Sequence, residues 1–353
     1  MGYLYEAATT APAFLRSAYY DAYPPARSKE PVIIPFGDDR QQHCVLWEPD
    51  EVKHDEPILY FHGGAYVFGE AESMEDAANA YNDQGYRFCS VGFRGAPSHK
   101  FPAMIRDGFK GSLAAIRWME ENGIPCNRIV IGGTSAGGHL ATLVCYARWL
   151  QEAYRFPAER IVACVSVAGV ADAADLLVRP FPTYGTWRTQ VDLRTDGEDR
   201  AAMLQAVERY SPVHIVEEAA AATAAAAGDT DDADKPANAN ARDDVAADDW
   251  ADIVAADIVA NATAAKAIPN IPLFVVLGRK DTLSPFASQA RFVEALRRVN
   301  GENSVEFLTL EGRHWQHMNT TVTMHKDAVE DSPILAPLFK WLDAQLLPSP
   351  ART

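Results

Sequence analysis

A serine flanked by small residues follows a buried apolar segment near the middle of the chain. Residues 132–138 read GGTSAGG, and residues 133–137 fit the pattern G-x-S-x-G. The preceding RIVIG is typical of a strand, and the following GGHLATLVCYARWL has helical spacing. A serine on such a strand-to-helix turn can act as a nucleophile beside the unpaired N–H groups of the helix. We therefore predict Ser135 as a nucleophile, although a serine that only caps the helix would suit the same turn.

A glycine-rich loop lies about 70 residues upstream of this serine. The segment YFHGGAYVFG runs from an apolar strand into His62, Gly63 and Gly64. Acyl transfer generates an oxyanion, and backbone N–H groups aimed at that charge stabilise it. Glycines allow the main chain to approach a substrate closely. We expect Gly63, Gly64 and Ala136 to supply these donors. An HGG sequence without a serine turn would be an ordinary loop.

A nucleophilic serine needs a base, and the base needs a carboxylate that orients it. Asp281 follows the apolar segment LFVVLG, and His314 follows VEFLTLEG. The order serine, aspartate, histidine is that of one known triad arrangement. His317 is a rival base, but Gly312 prepares a turn directly before His314. We therefore predict Ser135, Asp281 and His314 as a catalytic triad.

Short apolar segments alternate with longer segments of helical periodicity, and these elements must position the triad. The first two apolar segments, within VIIPFGDDRQQHCVLWEP, predict an antiparallel pair. The later ones are apolar at consecutive positions, as in strands that are buried on both faces. We predict an α/β fold with a mostly parallel central sheet flanked by helices. Both Asp281 and His314 then lie at the carboxyl edge of the sheet, where open α/β sheets bind ligands.

The alternation stops between residues 171 and 268, which defines the predicted domains. We assign residues 31–170 and 268–353 to the core and 171–267 to a cap segment. Residues 1–30 form a predicted N-terminal helical cap element. The cap segment includes an Ala/Asp-rich insertion at 217–266, which holds twelve acidic and three basic residues. Of the net charge of −16, this insertion accounts for −9, so the acidity describes one segment rather than a substrate.

Composition argues against several classes of protein. The net charge of −16 disfavours nucleic-acid binding, which needs a basic face. The sequence has no apolar run of the length that a membrane span requires, and its start is a poor secretory signal. The five scattered cysteines lack CxxC spacing and are expected to be buried thiols. We expect a cytoplasmic protein that uses no membrane, nucleic acid or metal; its oligomeric state is not indicated.

Several motifs together resemble a known family. HGGAYVFG, RIVIGGTSAGGHLA, SPVHI, LGRKDTLS and EGRHW occur in the order found in hormone-sensitive-lipase-like carboxylesterases of the α/β-hydrolase superfamily. The resemblance implies an α/β-hydrolase fold with a helical cap, the triad above and no cofactor. It also implies that Asp107 is structural support. One departure is Phe93-Arg94-Gly95-Ala96-Pro97, where the family usually has Tyr-Arg-Leu-Ala-Pro.

The expected activity is hydrolysis of small or aromatic carboxylic esters through an acyl-enzyme. Aromatic residues near the motifs favour an apolar substrate pocket; these are Tyr66, Phe68, Phe181, Tyr184 and Trp187. An amidase or formamidase with the same triad is the first alternative. A hydrolase-fold binding protein without catalysis is the second, although such proteins typically lack a triad residue.

Overall fold

In the computed structural model, the described residues are 29–178, 204, 207–228, 268–312, 329 and 332–346. Eight strands in these residues form one sheet of order β1-β2-β4-β3-β5-β6-β7-β8. Their bounds are β1 Val32–Pro35, β2 His43–Trp47, β3 Ile58–Phe61, β4 Phe88–Val91, β5 Ile129–Thr134, β6 Ile161–Val167, β7 Leu273–Gly278 and β8 Val305–Leu310.

The strand pairing confirms the predicted fold class. β1 pairs antiparallel with β2, and β2 antiparallel with β4, while the remaining neighbours are parallel. Phe61 of β3 lies opposite Gly133 of β5, and Gly278 of β7 lies opposite Leu310 of β8. The loops after β3, β5, β7 and β8 therefore leave the sheet at the same edge.

Helices cover both faces of the sheet. They are α1 Glu75–Asp83, α2 Ala103–Glu121, α3 Ala136–Tyr146, α4 Arg148–Ala153, α5 Ala173–Val178, α6 Pro212–Gly228, α7 Phe286–Asn300 and α8 Leu335–Leu346. Alternate strand residues face opposite sides: Leu59 and Phe61 join the cluster that includes α2, α3, α6 and α7, and Ile58 and Tyr60 join the cluster with α1 and α8. Each side of the sheet thus has its own core.

The helix expected after Ser135 is divided in two. The apolar periodicity continues from residue 136 to 154, but α3 ends at Tyr146 because Ala147 has φ −81° and ψ 82°, outside the helical region. The break frees backbone carbonyls, and the side chain of Gln151 donates hydrogen bonds to those of Val144 (2.8 Å) and Cys145 (2.9 Å). A side chain from the next helix thus replaces the missing helical donors.

The start of the predicted acidic insertion lies inside α6. This helix begins with Pro212, at the position where a missing N–H costs least, and it continues through the alanine run to Gly228. Val213 and Val216 are fully buried in the core. The helix therefore crosses residue 217, and its first turns belong to the packed body of the protein. Residues 1–28 and 229–267 lie outside the described residues.

An ion-pair cluster joins α6 to α7 and to the loop before α5. His214 lies 3.4 Å from the buried Asp172, which also accepts a hydrogen bond from the amide of Asp175. Arg291 of α7 contacts Asp172 at 3.8 Å and Glu217 at 2.7 Å. The hydrogen bond to Asp172 raises the pKa of His214 against partial burial. Burial favours a higher pKa for Asp172, but His214, the Asp175 amide and Arg291 together lower it.

These shifts predict pH-dependent stability. The raised pKa of His214 adds stability below its ordinary value of 6.5, which is lost as pH rises through the folded-state pKa. The lowered pKa of Asp172 adds stability above 3.8, which is lost as pH falls. We expect His214→Gln to lower the free energy of unfolding by about 0.5–1 kcal/mol at about pH 5.5 and by less at about pH 8.5.

Urea unfolding of the wild type and the variant at both pH values checks this expectation. His99→Gln, a change of a histidine outside the cluster, is the control. A deficit of equal size at the two pH values would show that the His214 charge does not contribute.

Two further expectations concern the chain as a whole. All five cysteines lie in the described part of the chain, and they are buried and free, as predicted. Among the described helices, none has the length and hydrophobicity that crossing a membrane requires.

Candidate active site

Ser135 lies in a sharp turn between β5 and α3. Its backbone has φ 54° and ψ −116°, a conformation that costs a residue with a side chain about 1–3 kcal/mol. The Ser135 amide donates to the carbonyl of Val167 at 2.8 Å, and the Ser135 carbonyl accepts from the amide of His139 at 3.1 Å. The turn is therefore held from β6 on one side and by the first helical hydrogen bond on the other. Strain of this kind is common at functional sites.

The small residues around Ser135 are required by the packing of main chain against main chain. A Cβ atom on Gly133 would lie 2.1 Å from the carbonyl oxygen of Gly137. A Cβ atom on Gly137 would lie 2.0 Å from the carbonyl oxygen of Phe61, the last residue of β3. The first turn of α3 therefore lies directly against the segment that leads into the loop after β3.

The loop after β3 has an unusual backbone. Gly64 has φ +120°, and a Cβ atom there would lie 2.0 Å from the carbonyl oxygen of Phe68. Ala65 and Tyr66 follow with φ 53° and 61°. The Gly64 carbonyl accepts hydrogen bonds from the amides of Val67 (3.0 Å) and Phe68 (2.9 Å), which closes the loop on itself.

His62 orients the peptide group between Gly63 and Gly64. The Nδ1 atom of His62 is 2.7 Å from the carbonyl oxygen of Gly63, which can only accept, so Nδ1 carries the proton. The ring is buried and stacks on Phe93 with centroids 4.0 Å apart. Burial lowers the pKa of His62 to about 4, so the ring is neutral at neutral pH. Because the peptide is trans, the Gly64 N–H points to the side opposite this carbonyl.

Asp281 lies in the loop after β7, two strands from β5. One of its carboxylate oxygens accepts hydrogen bonds from the amides of Leu283 (2.9 Å) and Ser284 (2.7 Å). The Ser284 hydroxyl donates to the carbonyl of Ala168, after β6, at 2.7 Å. The side chain is therefore held in one orientation at the edge of the sheet where Ser135 lies. Asp281 is largely buried, with 7% of its surface exposed.

The structure brings Ser135, Ala136 and the loop of Gly63 and Gly64 together, with Asp281 on the same edge. The amide of Lys280 donates to the carbonyl of Gly312 at 3.1 Å, which joins the loops after β7 and β8. His314 and the rival His317 lie outside the described residues, as do the three predicted pocket residues Phe181, Tyr184 and Trp187.

Two other predicted pocket residues, Tyr66 and Phe68, have different surroundings. Phe68 is 60% exposed, so its side chain is accessible to a ligand. Tyr66 is 1% exposed and belongs to the core cluster. Its hydroxyl is 3.0 Å from the carbonyl oxygen of Ala136 and is hydrogen-bonded to His139 Nδ1. This placement differs from the predicted pocket role, because the hydroxyl is turned towards the start of α3.

The sequence motifs assigned no role to His139. The ring is completely buried, and its Nε2 atom is 2.5 Å from the carbonyl oxygen of Tyr210. Burial lowers the pKa of His139 to about 4, against the effects of that carbonyl and of Asp172. The signal that could have identified it is its position four residues after Ser135, on the helix face above the turn.

Asp107 supports the loop that follows β4. It is completely buried, and it accepts hydrogen bonds from the Arg94 guanidinium at 2.8 and 2.9 Å, the Arg94 amide at 3.0 Å and the Gln42 side chain at 2.9 Å. The hydrogen bond to Asp107 raises the pKa of Arg94. These contacts agree with the structural role that the family resemblance implied.

We expect Asp107→Asn to lower the free energy of unfolding by about 3 kcal/mol, because it leaves a largely buried guanidinium without its countercharge. The control is Glu294→Gln, which breaks an exposed pair with Arg298 on α7 and should cost about 0.5 kcal/mol or less. Chemical denaturation of the three proteins measures both changes. Equal losses of unfolding free energy in the two variants would mean that burial of the Arg94–Asp107 pair does not increase its contribution to stability.

The chain is similar to known proteins over much of its length. The profile of the family described as alpha/beta hydrolase fold matches residues 58–318, about three quarters of the chain. The ethyl acetate hydrolase of Pseudomonas putida is 38% identical over 92 residues, which are 25% of this chain and 28% of that protein. The arylacetamide deacetylase-like 3 of Homo sapiens is 29% identical over 125 residues, 35% of this chain and 30% of that protein. The matched stretches span about a third or less of these relatives.

Among solved structures, esterase B from Lactobacillus rhamnosis is similar in fold. It superposes with a TM-score of 0.59 at 18% identity, covering 96% of this chain and 93% of that one. At 18% identity, this similarity shows that the two proteins share a fold. The matched family region, residues 58–318, includes the turn at Ser135. This chain belongs to the alpha/beta-hydrolase fold family.

Proposed function

We propose that this protein is a serine carboxylesterase. The observation that supports the proposal best is the junction of two loops. The strained turn at Ser135 lies against the segment that leads into the Gly63–Gly64 loop, so close that Gly137 has no room for a Cβ atom. This close approach supports a site in which a serine hydroxyl acts beside backbone donors, which is what attack on a carbonyl needs.

In the proposed reaction, His314 removes the hydroxyl proton of Ser135 as its oxygen bonds to the ester carbonyl carbon. The amides of Gly63, Gly64 and Ala136 stabilise the oxyanion. The C–O bond to the alcohol then breaks, and the alcohol leaves with the proton from His314. Water attacks the acyl-enzyme in the same way and releases the acid. Asp281 orients His314 and stabilises its protonated form.

The proposed substrates are small or aromatic carboxylic esters, with Phe68 and the aromatic residues Phe181, Tyr184 and Trp187 around them. The name of the Pseudomonas putida relative, ethyl acetate hydrolase, supports a short ester. The name of the human relative, arylacetamide deacetylase-like 3, supports amide hydrolysis as the second candidate. Both reactions use the same nucleophile and oxyanion donors, so the geometry admits either bond.

Assays of one preparation separate these functions. We expect hydrolysis of 4-nitrophenyl acetate and butyrate, and much slower hydrolysis of 4-nitroacetanilide and an N-formyl amide. Faster turnover of the amides at equal concentration would replace the esterase by an amidase.

A fluorophosphonate tests whether the protein is a catalyst at all. The Ser135 oxygen would displace fluoride from phosphorus, and mass spectrometry would find the adduct on the peptide that contains Ser135. Failure of the wild-type protein both to label and to hydrolyse would favour the non-catalytic binding protein.

A further inference from the structure

Tyr66 connects the Gly63–Gly64 loop to the helix that follows Ser135. Its backbone belongs to the loop, where it has φ 61°, and its side chain passes through the core to the first turn of α3. There the hydroxyl is 3.0 Å from the carbonyl oxygen of Ala136 and is hydrogen-bonded to His139 Nδ1. One side chain therefore contacts both elements that supply the proposed oxyanion donors.

The direction of these hydrogen bonds is determined by their partners. The Tyr210 carbonyl can only accept, so His139 Nε2 carries the proton. The ring is neutral and buried, which leaves Nδ1 as an acceptor for the Tyr66 hydroxyl. The same hydroxyl hydrogen is within reach of the Ala136 carbonyl. A phenylalanine at position 66 would leave a buried nitrogen without a donor.

The backbone of Tyr66 is held by the loop that follows β4. Its carbonyl oxygen accepts a hydrogen bond from the amide of Ala96 at 2.8 Å. A Cβ atom on Gly95 would lie 2.8 Å from that same oxygen, closer than real Cβ atoms come to backbone. This backbone therefore leaves no room for a side chain at position 95. The loop of Gly95 is itself fixed, because Arg94 is bound to Asp107.

We propose that Tyr66 is a positioning residue of the reaction, and that its hydroxyl sets the separation between the amides of Gly63 and Gly64 and the amide of Ala136. His139 acts with it as the acceptor. This inference depends on the proposed function, because it assigns Tyr66 to the oxyanion site of that reaction. It replaces the pocket role predicted for Tyr66.

Tyr66→Phe tests the proposal with 4-nitrophenyl acetate as the probe. We expect kcat to fall by about 10- to 100-fold, since displaced oxyanion donors stabilise the transition state poorly, and KM to change by less than about threefold. Tyr146→Phe is the matched control. This substitution also removes a buried hydroxyl, which donates to the carbonyl of Ile271 at 2.8 Å. Tyr146 lies about 15 Å along α3 from Ala136, so the change is far from the proposed oxyanion donors.

Three results would overturn the proposal. An unchanged kcat for Tyr66→Phe would show that the hydroxyl positions nothing. A higher KM at constant kcat would return Tyr66 to the pocket. Equal losses of kcat in Tyr66→Phe and Tyr146→Phe would mean that any lost buried hydrogen bond has the same effect.

A second variant covers the case in which Tyr66→Phe does not fold. Gly95→Ala pushes on the Tyr66 carbonyl from outside the site, and we expect the same fall in kcat at constant KM. If Tyr66→Phe does not fold, a normal kcat in a folded Gly95→Ala protein would overturn the proposal.

The rate of fluorophosphonate labelling separates the two proposals. The phosphoryl oxygen needs the same donors, so labelling should slow in Tyr66→Phe even where the natural bond is not an ester. A wild type that labels but hydrolyses no ester would end the esterase proposal alone. A wild type that neither labels nor hydrolyses would end both, because there would be no oxyanion to stabilise.

Discussion

Replacing Ser135 with alanine is expected to lower kcat for 4-nitrophenyl esters by a factor of about 10⁶. Alanine has no oxygen to attack the carbonyl carbon, and no acyl-enzyme can form. The backbone should be unchanged, because alanine pays the same steric cost as serine at φ 54°. Steady-state assays at high enzyme concentration measure the residual rate, and labelling by the fluorophosphonate should disappear with it.

Ser90→Ala is the control for this loss. Ser90 is a completely buried serine on β4, and its replacement should keep kcat within about twofold of the wild type. A Ser135→Ala protein that kept a tenth or more of the wild-type rate would place the nucleophile elsewhere.

Asp281→Asn should lower kcat by a factor of about 10⁴, a smaller loss than that expected for Ser135→Ala. The amides of Leu283 and Ser284 both donate to one carboxylate oxygen. An asparagine must present its only oxygen to these two donors, so its NH₂ group takes the place of the second oxygen. A group that accepted a hydrogen bond then donates one. We expect this change to hold His314 in the wrong tautomer for removing the Ser135 proton.

Measurement of kcat for Asp281→Asn beside Asp343→Asn checks this prediction. Asp343 lies on α8 and accepts a hydrogen bond from the Tyr86 hydroxyl at 3.1 Å, so its variant should keep normal kcat. An Asp281→Asn enzyme within tenfold of the wild type would mean that another carboxylate orients the base.

The fold was predictable from the sequence because strand and helix patterns are local. Apolar residues at consecutive positions identified the strands of the sheet, and apolar residues at helical spacing identified the helices between them. The antiparallel pair at the start was predicted from one short segment. The break at Ala147 was not predictable in this way. Its freed carbonyls are satisfied by Gln151 only after the two helices have packed, and the apolar spacing runs through the break unchanged.

For the site, short motifs predicted the chemical types: the glycine-flanked serine, the glycine loop and the aspartate after a buried strand. Each can be read from a few neighbouring residues, since backbone geometry requires glycine where chains approach closely. The contacts of Tyr66 and His139, by contrast, depend on the fold. They are 73 positions apart, and their hydrogen bond exists because β3 and β5 lie side by side in the sheet. A buried polar group takes its partner from whatever the fold brings near it, and sequence spacing carries no record of that neighbour.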